Sequence, residues 1–218
     1  MTKFKKAYYI VLTILVLIFF TKDINLNEKF YKNIKTITKP NDILVLVNKN
    51  NKLKNDYVPL NLEDLPLKYA NKNKKLVKEA NEAFKLLHDD ASKLGYRIVI
   101  VSSYRDYWYQ KELFDYYVKE KGEAYALQCS AKPGHSEHQT GLAIDVEGKN
   151  KDYDNFEVTT EFKWMKDNSY KYGFILRYPK DKEKITGFKY EPWHYRYVGK
   201  KVAAYIYKHD ITLEEYLK

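Results

Sequence analysis

The sequence predicts an α+β domain built on a largely antiparallel sheet. Three observations carry this. Strand-like and helix-like apolar patterns are mixed along the chain. Several of the strand patterns are joined by short connections, which suit antiparallel neighbours. No regular strand–helix–strand repeat of the kind that builds a parallel sheet occurs.

At 218 residues the chain is long enough for one domain with a sizeable core plus a leader. Residues 1–6 (MTKFKK) are basic, and AYYIVLTILVLIFF (7–20) is an uninterrupted apolar run. A basic stretch before an apolar one reads as an export signal. No small-residue cleavage site follows, and no cysteine stands there for lipid attachment. Residues 1–21 are therefore expected to be an uncleaved signal anchor, with a cleaved signal peptide as the alternative. Lysines on the near side would place the rest outside the cytoplasm. Residues 22–41, rich in Lys and Asn, read as a polar tether, and 42–218 as the folded domain.

ILVLVN (43–48) is bounded by polar residues and reads as a strand, and 49–66 as a loop punctuated by Pro59 and Pro66. Val77, Ala80, Ala83, Phe84, Leu87 and Ala91 recur at threes and fours, which predicts a helix over 73–94 stopped by Gly95. YRIVIVSSY (96–104) is the next strand, and 106–122 an amphipathic helix ending at Gly122. Residues 123–139 read as a loop, and LAIDV (142–146) as a strand. A polar insertion covers 147–162, its acidic residues solvated. A helix over 159–173 stops at Gly173, and a strand over 174–179 ends at Pro179. Residues 180–190 read as a hairpin into a Tyr-rich final strand. A closing helix over 200–217 would pack through Leu213 and Tyr216.

The formal charge of +10 fits a solvated, lysine-rich surface or attraction to an anionic matrix. A nucleic-acid partner is disfavoured, because the lysines are scattered and no nucleic-acid motif is present. The single cysteine, Cys129, excludes an intramolecular disulfide and is expected to be a buried small residue. His88 and His209 have no ligand-spaced partners and read as structural. The expected state is a monomer.

Two stretches carry chemistry, PGHSEHQTGLAID (133–145) and EPWHYRYVG (191–199). His138 precedes Asp145 by seven residues, with Gly141 available for a tight turn between them. Strand alternation puts Leu142, Ile144 and Val146 on one face and Ala143 and Asp145 on the other. Glu191 and His194 stand three apart around Pro192. Two His nitrogens and one carboxylate oxygen, with a fourth position open, is the arrangement of a catalytic zinc. Glu191 is then the carboxylate left over for proton transfer to and from an attacking water.

Ser136 to Asp145 (S-x-H-x-x-G-x-A-x-D), Glu191–His194 (E-P-W-H) and SSYRDYWYQ at 102–110 (S-x-Y-R-x-x-x-x-Q) resemble the VanY-type zinc D-alanyl-D-alanine carboxypeptidases. The same family includes LdcB-type L,D-carboxypeptidases and, more distantly, VanX dipeptidases. The resemblance runs from about residue 42 to the C-terminus and implies a small central sheet carrying the zinc site, flanked by helices in the D,D-peptidase/Hedgehog-like manner. It places the zinc ligands at His138, Asp145 and His194, rather than at His135, and the catalytic base at Glu191. It implies that Arg105 and Gln110 bind the substrate's terminal carboxylate or scissile carbonyl, either of which suits a guanidinium, and that Arg105 assists catalysis. Ser136 and Tyr178 are implied substrate contacts. Trp193 either joins the core or walls the pocket. The implied substrate is a peptidoglycan stem peptide losing its C-terminal D-alanine. L,D-cleavage of a tetrapeptide stem and a non-catalytic wall-binding module are the alternatives.

Overall fold

A computed structural model describes residues 30–151 and 155–218. In chain order, strand β1 (Lys35–Thr36) runs parallel to β2 (Asn51–Lys52), and β3 (Leu62–Leu65) pairs antiparallel with β4 (Lys74–Val77). Helix α1 (Lys78–Lys93) follows, then β5 (Val99–Ser102), α2 (Tyr107–Lys121) and α3 (Glu123–Cys129). A 3-10 turn (Glu137–Thr140) leads into β6 (Ala143–Glu147). After it come α4 (Thr160–Asn168), β7 (Phe174–Leu176), α5 (Glu183–Thr186), β8 (His194–Tyr197), α6 (Lys200–His209) and α7 (Leu213–Tyr216). The central sheet has the order β5-β6-β8-β7 and is antiparallel at every step.

One face of this sheet makes the core. Ile100, Leu142, Ile144, Val146 and Tyr195 pack there against Ala80, Phe84, Leu87 and Ala91 of α1. The period-2 pattern of residues 142–146 therefore works as read: the branched residues enter the core, and Asp145 is left on the other face. Truncating Phe84, fully buried at that seam, to alanine would cost roughly 3–5 kcal/mol.

Several local expectations give way to tertiary pairing. Residues 43–48 form no strand. The carbonyls of Ile43 and Val45 accept hydrogen bonds from Arg196 Nη2, both at 2.9 Å, so a guanidinium stands where a strand partner would be. The 49–66 loop contains β2 and β3. Because β3 pairs with Lys74–Val77, the expected helix starts at Lys78 rather than 73. The 123–139 loop contains α3 and the 3-10 turn, and α5 interrupts the expected hairpin at 180–190. The closing helix is split at Asp210, whose φ is 49°, and restarts on a Thr212/Glu215 capping box. Glu147 and Glu161 are buried rather than solvated. Glu147 lies 3.6 Å from Arg97 Nη1, and Glu161 accepts the Lys149 N–H at 3.2 Å.

The leader expected over 1–21 lies outside the described residues. Among the described residues no helix is long and apolar enough to cross a membrane. The part of the expected tether that is described, residues 30–41, belongs to the fold: β1 lies within it, and the Tyr57 hydroxyl donates to the Pro40 carbonyl at 2.9 Å.

Candidate metal centre

Asp145 and His194 are direct cross-strand partners in the β6–β8 pairing. His138 is brought to them by the 3-10 turn, whose first N–H groups need an acceptor; Ser136 Oγ accepts from His138 N at 3.3 Å. The turn closes on Gly141 at φ 67°. A Cβ there would stand 2.9 Å from Leu62 Cδ2 and 3.1 Å from Val77 Cγ2, so any side chain would strain the turn and displace its neighbours.

One ligand atom from each of His138, Asp145 and His194 lies within 4.8 Å of the other two, and all three residues are buried. His138 Nε2 is 3.3 Å from Asp145 Oδ2, and His194 Nδ1 is 3.0 Å from Asp145 Oδ1. The other nitrogen of His138 faces the Ser103 carbonyl at 2.7 Å, which fixes Nδ1 as the protonated one and leaves Nε2 bare. Asp145 Oδ1 is buried with no hydrogen-bond partner. A buried carboxylate that turns one oxygen to each of two imidazoles fits a shared cation, and the donor set of two nitrogens and one oxygen suits zinc. Burial, reinforced by the Arg105 charge, pulls His138 down to about 4, so its nitrogen is free to bind a metal at neutral pH. Burial opposes the charge on His194, but the Asp145 and Glu137 carboxylates facing its two ring nitrogens pull it up to about 9. A cation would take that proton's place between the carboxylates.

Glu191 lies just outside this cluster, its Oε2 3.6 Å from His194 Nδ1. The backbone around Pro192 is pinned, since Glu191 N donates to the Tyr178 carbonyl at 3.1 Å and His194 N to the Glu191 carbonyl at 3.2 Å. Burial pushes the Glu191 carboxyl up to about 7, a range suited to moving protons at neutral pH.

These groups open onto a cleft of about 210 Å³, lined also by Arg105, Ser136, Tyr178, Trp193, Tyr117, Tyr125, Cys129 and Phe188. Arg105 Nη1 is 3.7 Å from Asp145 Oδ2 and donates to Ser102 Oγ at 2.7 Å. Gln110 stands behind Arg105. Its Oε1 accepts from Arg105 Nε at 3.1 Å, and its Nε2 donates to Ser130 Oγ and the Ala131 carbonyl. All its polar atoms are thus spent on protein groups. Trp193 is half-buried, packing on the core while lining the cleft. Cys129 is half-buried in the cleft wall rather than in the core, because α3 turns it towards the site. His135 points away, its Nδ1 2.8 Å from the Asn48 carbonyl.

Sequence reasoning missed Glu137. It is fully buried beneath His194, with Oε2 3.6 Å from His194 Nε2. Its Oε1 accepts from Arg177 Nε at 2.8 Å and from Arg196 Nη1 at 2.7 Å, and Arg177 also makes a two-pronged pair with Glu214 of α7. Burial would raise the Glu137 carboxyl, but the two guanidinium charges hold it well below the usual range. A signal was present: arginines inside two otherwise apolar strand patterns require a buried acid.

A family model described as VanY: D-alanyl-D-alanine carboxypeptidase matches residues 73–200. A Bacillus subtilis (strain 168) protein named YodJ is 45% identical over 209 residues, covering 90% of this chain and 77% of that protein. The solved structure of the LdcB LD-carboxypeptidase superposes with a TM-score of 0.79 at 46% identity, covering 85% of this chain and 90% of that one. That of the vancomycin resistance D,D-pentapeptidase VanY in complex with Zn(II) superposes at 0.70 and 36% identity, covering 80% and 98%.

Proposed function

The chain belongs to the D-alanyl-D-alanine carboxypeptidase (VanY) family, and from that premise we propose that it removes the C-terminal D-alanine of peptidoglycan stem peptides as a zinc hydrolase. The observation that carries the reading is the buried His138–Asp145–His194 cluster with Glu191 at its cleft side. His138 Nε2, an Asp145 carboxylate oxygen and His194 Nδ1 would hold the zinc. When bound, zinc supplies Lewis acidity and draws the pKa of a coordinated water towards 7.

The chain's own residues do the rest. Glu191 takes the proton of the attacking water and returns it to the leaving amine, which its raised pKa equips it to do. Arg105 presents guanidinium donors at the cleft to the substrate's terminal carboxylate or to the oxygen that gains charge. Gln110 acts through Arg105, holding Nε so that the fork faces the cleft. Ser136, Tyr178 and Trp193 shape the wall; Tyr178 also packs its ring 4.8 Å from that of His194. Glu137 orients His194 from behind, as an outer carboxylate commonly does for a metal-bound histidine.

A pentapeptide ending in D-Ala-D-Ala is the proposed substrate. A second reading, L,D-cleavage of a tetrapeptide, is favoured by the higher TM-score and identity to the LdcB structure. Such substrates lie outside the cytoplasm, and the apolar run at 7–20 is the proposed membrane attachment. The test is D-alanine release from each peptide. Release from the pentapeptide alone supports the D,D reading, release from the tetrapeptide moves the assignment to L,D, and release from neither overturns both.

A further inference from the structure

Lys49 is a buried lysine outside the metal centre, only 2% exposed. Its Nζ donates to the Leu127 carbonyl at 2.7 Å and lies 4.8 Å from the Phe188 ring, 5.5 Å from Phe30 and 5.6 Å from Tyr31. Two of these contacts reach elements that form the cleft. Leu127 is in α3, the helix that brings Tyr125 and Cys129 into the cleft wall, and Phe188 is itself part of that wall. Phe188 packs on Tyr178 at 4.9 Å, and Tyr178 packs on His194. One ammonium therefore joins two separate pieces of the wall.

The segment ahead of β1 closes over this ammonium. Tyr31 OH accepts the Lys132 N–H at 3.2 Å, and its ring meets His135 edge-on at 5.0 Å, on the loop that leads to Ser136 and His138. Residue 187 is glycine at φ +82°, and a Cβ there would stand 3.0 Å from Phe30 Cε1 and 3.1 Å from Lys49 Cδ. Close approach of Phe30 thus depends on a missing side chain. Apolar packing alone would be served better by methionine or leucine, since an ammonium held among rings costs desolvation. What the lysine adds is a directed hydrogen bond to α3 together with attraction to rings on two other segments.

Resting on the carboxypeptidase reading, we infer that Lys49 is a positioning residue for substrate binding. It fixes α3 and Phe188 relative to one another, and Phe30 and Tyr31 hold it there, so that residues 30–31 belong to the substrate-binding apparatus.

The test uses the full chain with zinc bound. Steady-state D-alanine release and zinc content are compared for wild type, Lys49→Met, Lys49→Arg and Tyr31→Ala. Loss of positioning raises KM for Lys49→Met on the order of tenfold while kcat stays within about twofold and zinc remains bound. Lys49→Arg, which keeps a cation and donors, returns KM most of the way, and Tyr31→Ala shifts KM in the same direction as Lys49→Met. Amide exchange in α3 and at residues 186–189 quickens in Lys49→Met while that of the central sheet is unchanged. An active wild type with unchanged KM in Lys49→Met overturns the inference alone. A wild type inactive on both stem peptides overturns the carboxypeptidase reading and this role with it. If Lys49→Met does not fold, Tyr31→Ala decides by the same KM criterion.

Discussion

Glu137 faces the Nε2 atom of His194 at 3.6 Å, on the side of the imidazole away from Asp145. The carboxylate cannot drift, because Arg177 and Arg196 both donate to its other oxygen. Arg177 in turn pairs with Glu214, and Arg196 holds the carbonyls of Ile43 and Val45. A single buried network thus ties a candidate metal ligand to the C-terminal helix and to the segment that enters the domain.

Glu137→Gln keeps the shape but removes the charge behind His194. Zinc affinity, measured by competition with a chromogenic chelator, should fall on the order of 10–100-fold. Glu137→Ala additionally leaves two buried guanidinium groups without their shared acid, and should cost roughly 3–5 kcal/mol in denaturant unfolding.

Arg105→Ala should leave zinc affinity intact, since Arg105 lies beside the ligand cluster without belonging to it. Its kcat/KM for D-alanine release should drop on the order of 10²-fold or more. A rise in KM would assign Arg105 to the substrate's terminal carboxylate, and a fall in kcat to the developing oxyanion. Gln110→Leu should move the same parameter in the same direction by less.

The residues of the candidate metal centre were legible because they sit at fixed offsets in short motifs, and strand alternation then placed Asp145 on the free face of β6. Lys74–Val77 was misread because Leu76 and Val77 satisfy a helical period as well as a strand, and only pairing with Leu62–Leu65 decides between them. Residues 43–48 have strand composition, but Arg196, about 150 positions later, takes their carbonyls. Glu137 was overlooked for the same reason: its partners come from β7's exit and from β8, and no local pattern links them. Residues 30–41 looked like a solvated tether because their lysines and asparagines hide two aromatic anchors, Phe30 and Tyr31, whose site lies on distant segments.

Lys49 makes stability depend on pH in a distinctive direction. Burial, with the nearby charge of Lys132 added, lowers its pKa from 10.5 to about 8. Between these values the unfolded chain binds the proton and the folded chain does not, so stability attributable to Lys49 rises with pH and is lowest below about 8. Wild type should therefore gain on Lys49→Met by on the order of 2 kcal/mol in urea unfolding between pH 7 and 10. A gap that stays constant over that range would show that the fold does not lower the Lys49 pKa.

Gly141→Ala would place a side chain at positive φ against Leu62 and Val77. It should destabilise the domain by about 1–3 kcal/mol and weaken zinc binding, because the turn it strains carries His138. Calorimetry with and without added zinc reads both effects.

The central claim is that Glu191 moves the proton while His138, Asp145 and His194 hold the metal. The most direct measurement is D-alanine release from a D-Ala-D-Ala pentapeptide by zinc-loaded Glu191→Ala beside wild type, with bound zinc quantified in both. Release should fall on the order of 10²–10⁴-fold while one zinc per chain is retained. Release at the wild-type rate, or loss of the zinc together with Glu191, would contradict that division of roles.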